Sequence, residues 1–207
     1  MTLRQGFDPL ILTATGLACR RGERVLAEGL EFTVPSGGIL LLKGANGAGK
    51  TTLLMTLLGA LRPASGRFAF EGVDTESAFI HFLGHRNAVK PHLTLAENLA
   101  FWASVNGGGG LSSPAALEAV GLGPVAGLDA GYLSAGQTRR LALARLLVTP
   151  RPVWLLDEPT AALDTQGEAM VAALIDAHLT AGGLAVAATH LPLPLRSARV
   201  GELRLDP

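Results

Sequence analysis

Short apolar runs alternate along this chain with longer stretches of helical spacing. Four runs are apolar almost throughout: 39–42 (ILLL), 78–83 (AFIHFL), 153–156 (VWLL) and 184–188 (LAVAA). Their length and their glycine, proline or polar borders fit strands buried on both faces. The segments 10–20 and 25–34 read as strands too, joined by a turn at 21–24, with Leu30, Phe32 and Val34 alternating to one face. A short strand is expected at 67–71, an edge strand at 199–205, and a frayed start at 1–9. Helical spacing covers 50 to about 61, 114–120, 133–148, where Leu141, Ala144, Arg145 and Val148 share a face, and about 165–179. Thr94 with Glu97, and Ser134 with Gln137, have the three-residue offset of a capping box. The pattern predicts one α/β domain over 1–207, flanked by a small antiparallel β layer. Residues 87–150 are expected to form an inserted, mobile helical subdomain. In it Asn106 and the four glycines after it make a flexible connection, and Trp102 is a core residue.

The most informative stretch joins two of these elements. The run 39–42 leads into GANGAGKT at 44–51, a full G-x-x-x-x-G-K-[ST] match, and a helix follows. A triphosphate needs many donors at close range. Glycines at 44, 47 and 49 let backbone N–H groups of Gly44, Ala45, Asn46, Gly47, Ala48 and Gly49 approach its oxygens. The next helix aims its unpaired N–H groups at the same anion. Lys50 is expected to reach the β- and γ-phosphates, Thr51 to hold Mg²⁺, and Thr52 to add a phosphate contact. The loop is not G-x-G-x-x-G, which disfavours a dinucleotide fold.

A second centre lies at 153–158, VWLLDE, an apolar run ending in two acids. A parallel strand presents its carboxyl end to the ligand crevice. Asp157 suits the metal, opposite Thr51, and Glu158 suits a general base acting on water. His190 follows the run 184–188 and falls on the same side of the sheet. His81 and His178 are assigned no function.

Composition narrows the classes. There are 17 Lys and Arg against 17 Asp and Glu, a formal net charge of zero, so no nucleic-acid partner is expected. No apolar stretch approaches the ~18–20 residues that span a bilayer, and no signal peptide is read at the start. The chain is therefore expected in the cytoplasm. Cys19, the single cysteine, excludes an internal disulfide and reads as a structural thiol.

In this order the motifs resemble those of the ABC-type ATPases, over nearly the whole chain. The phosphate loop at 44–52 is followed by LSAGQ at 133–137, with Ala135 where the family has glycine, then by LLDE at 155–158, ALD at 162–164 and His190. The resemblance implies a P-loop NTPase core of the ABC-ATPase type, with an antiparallel β subdomain and an inserted helical subdomain. It implies ATP and Mg²⁺ as cofactors and a head-to-tail homodimer. There Ser134, Gly136 and Gln137 complete the γ-phosphate site of the opposite copy, and His190 holds the γ-phosphate and the attacking water. Integral membrane subunits receive the motion. Two positions depart from the family. Arg86 stands where a glutamine contacts the metal and the water, and a guanidinium has no acceptor. Either Arg86 acts on phosphate oxygens, or His85 takes over, or the contact is lost. Arg21 stands where an aromatic residue stacks on adenine; its plane can also stack.

The wording around 83–99 and 132–141 further resembles the ATP-binding subunits of the haem exporters of bacterial cytochrome c maturation. That implies a peripheral place on the cytoplasmic face of the inner membrane. The chain has no C-x-x-C-H, so any haem is expected to be handled by proteins reached through the membrane subunits. An exporter of another small molecule or lipid, and a soluble non-transport ATPase, are the alternatives.

Overall fold

The computed structural model describes residues 6–74, 78–196 and 199–205. The expected start at 1–9 lies partly outside them. Within them Phe7 N–H donates to Ala181 O at 2.7 Å, and the Phe7 ring meets the His178 ring edge-on.

Two sheets form. β1 (Ile11–Arg21), β2 (Arg24–Pro35) and β4 (Ser65–Glu71) make the antiparallel one, in the order β2-β1-β4. The other combines β3 (Gly38–Lys43), β5 (Ile80–Leu83), β6 (Val153–Asp157), β7 (Leu184–Ala188) and β8 (Arg199–Arg204) in the order β5-β6-β7-β3-β8. Every pairing in it is parallel. All five strands therefore end at one edge of the sheet.

The apolar runs are continuous because both faces of this sheet are covered. Ile39, Leu41, Trp154, Leu156, Ala185 and Ala187 point into one core. Their neighbours Leu40, Leu42, Val153, Leu155, Val186 and Ala188 point into the other. The first core is roofed by α4 (Ala135–Val148) and α5 (Thr165–Thr180), with α2 (Leu95–Asn106) and α3 (Ser113–Ala119) packed on α4. The second holds α1 (Lys50–Leu57) and the antiparallel sheet, including buried Cys19. Burial raises the pKa of that thiol, in keeping with a structural role.

Four expectations shift. α1 stops at Leu57, one turn before residue 61, because Gly59 takes a left-handed φ of +81° and the N–H groups of Ala60 and Leu61 turn back to Met55 O. The strand expected at 78–83 starts only at Ile80. Residues 87–94 are not helical. Buried Asn98 holds them, accepting from Lys90 N–H at 2.8 Å and donating to Lys90 O, Leu93 O and Thr94 O. The glycine run is no loose tether: Gly107 caps α2 at φ +92°, and Gly110 N–H donates to Val148 O at 3.1 Å. Both expected capping boxes are present. No helix among the described residues is long and apolar enough to cross a membrane.

Two buried imidazoles give the fold a pH signature. His178 stacks on Trp154, with ring centroids 4.1 Å apart, and lies 3.1 Å from Leu184 O. His81 Nε2 lies 2.6 Å from Thr149 O. Burial pushes their pKa values down, to about 4 and about 3 respectively. The unfolded chain takes up these protons below about pH 6.5, so it binds more protons there than the folded one. Stability is therefore fully present above that pH and falls as pH drops. Lowering the pH from 7 to 5 is expected to cost about 2 kcal/mol per imidazole, read from urea midpoints. An unchanged midpoint would contradict it.

Candidate functional site

The common edge of the parallel sheet collects the candidate chemistry. β3 leads into the loop 44–49, β6 into Glu158, β7 into Thr189 and His190, and β5 into Gly84, His85 and Arg86. A cavity of about 290 Å³ opens there. It is walled by the phosphate loop, by Lys50, Thr51 and Thr52, and by Asp157, Glu158 and His190.

The phosphate loop has the form its composition predicts. Gly49 caps α1 in the left-handed region at φ +101°, and a Cβ there would lie 2.9 Å from Leu26 Cβ. No side chain caps this helix, so its first N–H groups are left for an anion. Lys50 Nζ folds back across the loop, donating to Gly44 O at 2.6 Å and Ala45 O at 3.0 Å. Thr51 Oγ1 donates to Asp157 Oδ2 at 2.8 Å. The loop and the end of β6 thus meet where the spacing of their motifs implied, with two oxygens side by side. An alcohol and a carboxylate suit Mg²⁺, which takes oxygen ligands and shares its shell with phosphates and water.

Glu158 is strained. Its φ is +48°, a conformation that costs a non-glycine residue on the order of 1 kcal/mol. Its N–H donates to Ala188 O at 2.8 Å, which ties the turn to the end of β7. Its Oε1 is buried and has no hydrogen-bond partner; His190 Nε2 lies 3.3 Å away as a charge contact only. An unsatisfied carboxylate oxygen on the wall of a phosphate cavity is what a general base for water needs. His190 Nε2 also lies 3.1 Å from Lys50 Nζ. One ring nitrogen serves one of these contacts at a time: unprotonated, it accepts from Lys50; protonated, it faces Glu158.

Other expected residues lie elsewhere. Ser134, Gly136 and Gln137 are absent from the lining of this cavity. Ser134 is exposed and caps α4 by accepting from Gln137 N–H at 3.2 Å. The glycine–alanine difference in LSAGQ has a simple reason. A Cβ at Gly136 would lie 2.7 Å from Ala162 O, whereas Ala135 is exposed. Arg21, at the end of β1, does line the cavity, and no Phe, Trp or Tyr side chain does among the described residues. Arg86 does not line it, whereas His85 does. Arg86 belongs to a neighbouring cavity of about 640 Å³, shared with His85, Trp102, Arg145 and Arg151. Trp102 is therefore no core residue. It is half-buried on that wall, with the Arg145 guanidinium 4.7 Å above its ring.

The residue that sequence reasoning missed is Arg139, on α4 and only 3% exposed. Its five N–H donors make five bonds. Nε donates to Pro159 O at 3.3 Å, Nη1 to Gly84 O at 2.8 Å and to Asn87 Oδ1 at 2.9 Å. Nη2 donates to Asp157 O at 2.6 Å and Glu158 O at 2.7 Å. Burial lowers its pKa to about 10, against the pull of the Asp157 and Glu158 charges, so it stays charged at neutral pH. The only hint in the sequence is an arginine on an otherwise apolar helix face.

Comparison with known proteins agrees with this geometry. A profile of the ABC transporter family matches residues 27–161. This chain belongs to the ABC transporter family. Relatives named cytochrome c biogenesis ATP-binding export protein CcmA are similar over nearly their whole length. The one from Rhodopseudomonas palustris (strain HaA2) is 51% identical over 195 residues, 92% of this chain and 98% of its own. That from Rhizobium meliloti (strain 1021) is 48% identical over 200 residues, 93% and 97%. Among solved structures, a putative ABC transporter ATP-binding protein from Pyrococcus furiosus superposes with a TM-score of 0.82 at 26% identity, covering 94% of this chain and 97% of its own. As an ABC ATPase the chain binds and hydrolyses ATP in the service of transport.

Arg139→Lys keeps the charge but loses the fork. The variant is expected to lose on the order of 2 kcal/mol of stability and, where still folded, at least about tenfold in turnover, because the backbone of both acids is released. Thermal melts and ATPase rates check this; wild-type turnover would contradict it.

Proposed function

We propose that this chain is the ATP-hydrolysing subunit of an exporter serving bacterial cytochrome c biogenesis, and that it works as a homodimer against integral membrane subunits on the cytoplasmic face of the inner membrane. The cytochrome c role rests on the names of relatives about half identical over almost their full length. Haem-handling proteins would be met through the membrane subunits. The homodimer rests on the separation of Ser134, Gly136 and Gln137 from the phosphate cavity of their own chain.

In this reading the N–H groups of 44–49 and the start of α1 bind the phosphates, and Lys50 Nζ leaves Gly44 O and Ala45 O for the β- and γ-oxygens. Thr51 and Asp157 would hold Mg²⁺, which supplies charge neutralisation on the phosphate oxygens. Glu158 Oε1 takes a proton from water as its oxygen attacks the γ-phosphorus, and the bond to the β–γ bridging oxygen breaks, releasing ADP. His190 orients water and γ-phosphate. Ser134 and the capped N-terminus of α4 approach the same phosphate from the second copy, adding donors and a helix dipole.

Glu158→Gln keeps size and shape but removes the base. It is expected to slow turnover at least about 100-fold while ATP affinity stays within about twofold, measured by nucleotide binding beside steady-state hydrolysis. Equal loss of both would remove Glu158 from this role.

A further inference from the structure

Five residues line both the phosphate cavity and the larger cavity beside it: Arg21, Thr51, Thr52, His85 and Asp157. This seam includes the two oxygen donors, Thr51 and Asp157, that meet at 2.8 Å. Of the segment leaving β5, His85 alone takes part in it. Arg86, its neighbour, lines the larger cavity only.

The division between the two is held in place. Arg139 Nη1 bonds Gly84 O before the dipeptide and Asn87 Oδ1 after it, at 2.8 and 2.9 Å. Nη2 of the same guanidinium bonds the carbonyls of Asp157 and Glu158. The backbone around His85 is thus tied to the backbone of the acids by one buried cation.

The chemistry points the same way. Mg²⁺ dehydrates reluctantly and keeps several waters. A group beside its shell must accept a hydrogen bond from such a water. A guanidinium has no lone pair to offer, whereas a neutral imidazole has one. We propose that His85 is the positioning residue on this side of the site, accepting a hydrogen bond from a water in the shell of the ion held by Thr51 and Asp157, and that Arg86 takes no part. The proposal rests on the Mg²⁺–ATP reading of the cavity.

The coupling between metal and nucleotide tests it without turnover. In the Glu158→Gln chain, the Kd of a fluorescent ATP analogue is measured with Mg²⁺ and with EDTA. Their ratio is the metal coupling. His85→Ala is expected to shrink this ratio about tenfold, as loss of an outer-shell partner does, by raising the Kd in Mg²⁺ and leaving the Kd in EDTA unchanged. His85→Gln, which restores an acceptor, is expected to recover the ratio to within about threefold. Arg86→Ala is expected to leave it in place. An unchanged ratio in His85→Ala, no recovery in His85→Gln, or an equal loss in Arg86→Ala would overturn the proposal while nucleotide binding stands. A parent chain that binds no nucleotide would overturn the site reading and this proposal with it.

Discussion

A buried guanidinium must be satisfied where it lies, and this requirement shapes the active edge. Arg139 has no carboxylate oxygen among its partners; four of its five bonds go to backbone carbonyls. The carbonyls belong to Asp157, the last residue of β6, and to the loops leaving β5 and β6. The cation therefore fixes main chain rather than side chains. The backbone of Asp157 and Glu158 is held, while Asp157 Oδ2 meets the Thr51 hydroxyl and Glu158 Oε1 keeps no hydrogen bond. Because α4 carries both Arg139 and the Ser134 cap, any displacement of that helix is felt at the acids within one side chain's length.

The sheet supplies the rest of the arrangement. Five parallel strands bring four loops to one edge, and Ala48 anchors the phosphate loop in the core beneath it. In β3, β6 and β7 both faces are buried, so the edge sits on a rigid base. On that base the site holds departures from the lowest-energy backbone and from full hydrogen bonding: Glu158 at positive φ, its Oε1 without a hydrogen bond, and α1 without a side-chain cap. All three surround the same cavity. Such unsatisfied groups gather where a ligand is meant to complete them.

Much of this was legible in the sequence. The apolar runs gave the strands because burial on both faces leaves no room for polar alternation. That the glycine loop, Lys50, Thr51, Asp157 and Glu158 meet at one edge was legible, because a strand before each motif sets where its loop emerges. Arg139 was not legible, since an arginine on a helix face is more often solvated than buried. Trp102 was misread because an apolar ring near a cavity has the same local pattern as one in a core. The glycines after Asn106 looked loose because glycine also serves at a helix cap, a role that depends on the packing of Gly110 against α4. His85 and Arg86 could not be separated, since adjacent residues in a loop have no periodicity to tell which way each one faces.

The central claim is that one chain holds half of each catalytic site. Cysteines placed at Asn46, in the phosphate loop, and at Ser134, at the start of α4, test it most directly under mild oxidation. The account predicts covalent dimers on a non-reducing gel that appear with ATP and are lost without it. A chain that binds ATP yet yields only monomer under the same oxidation would contradict it.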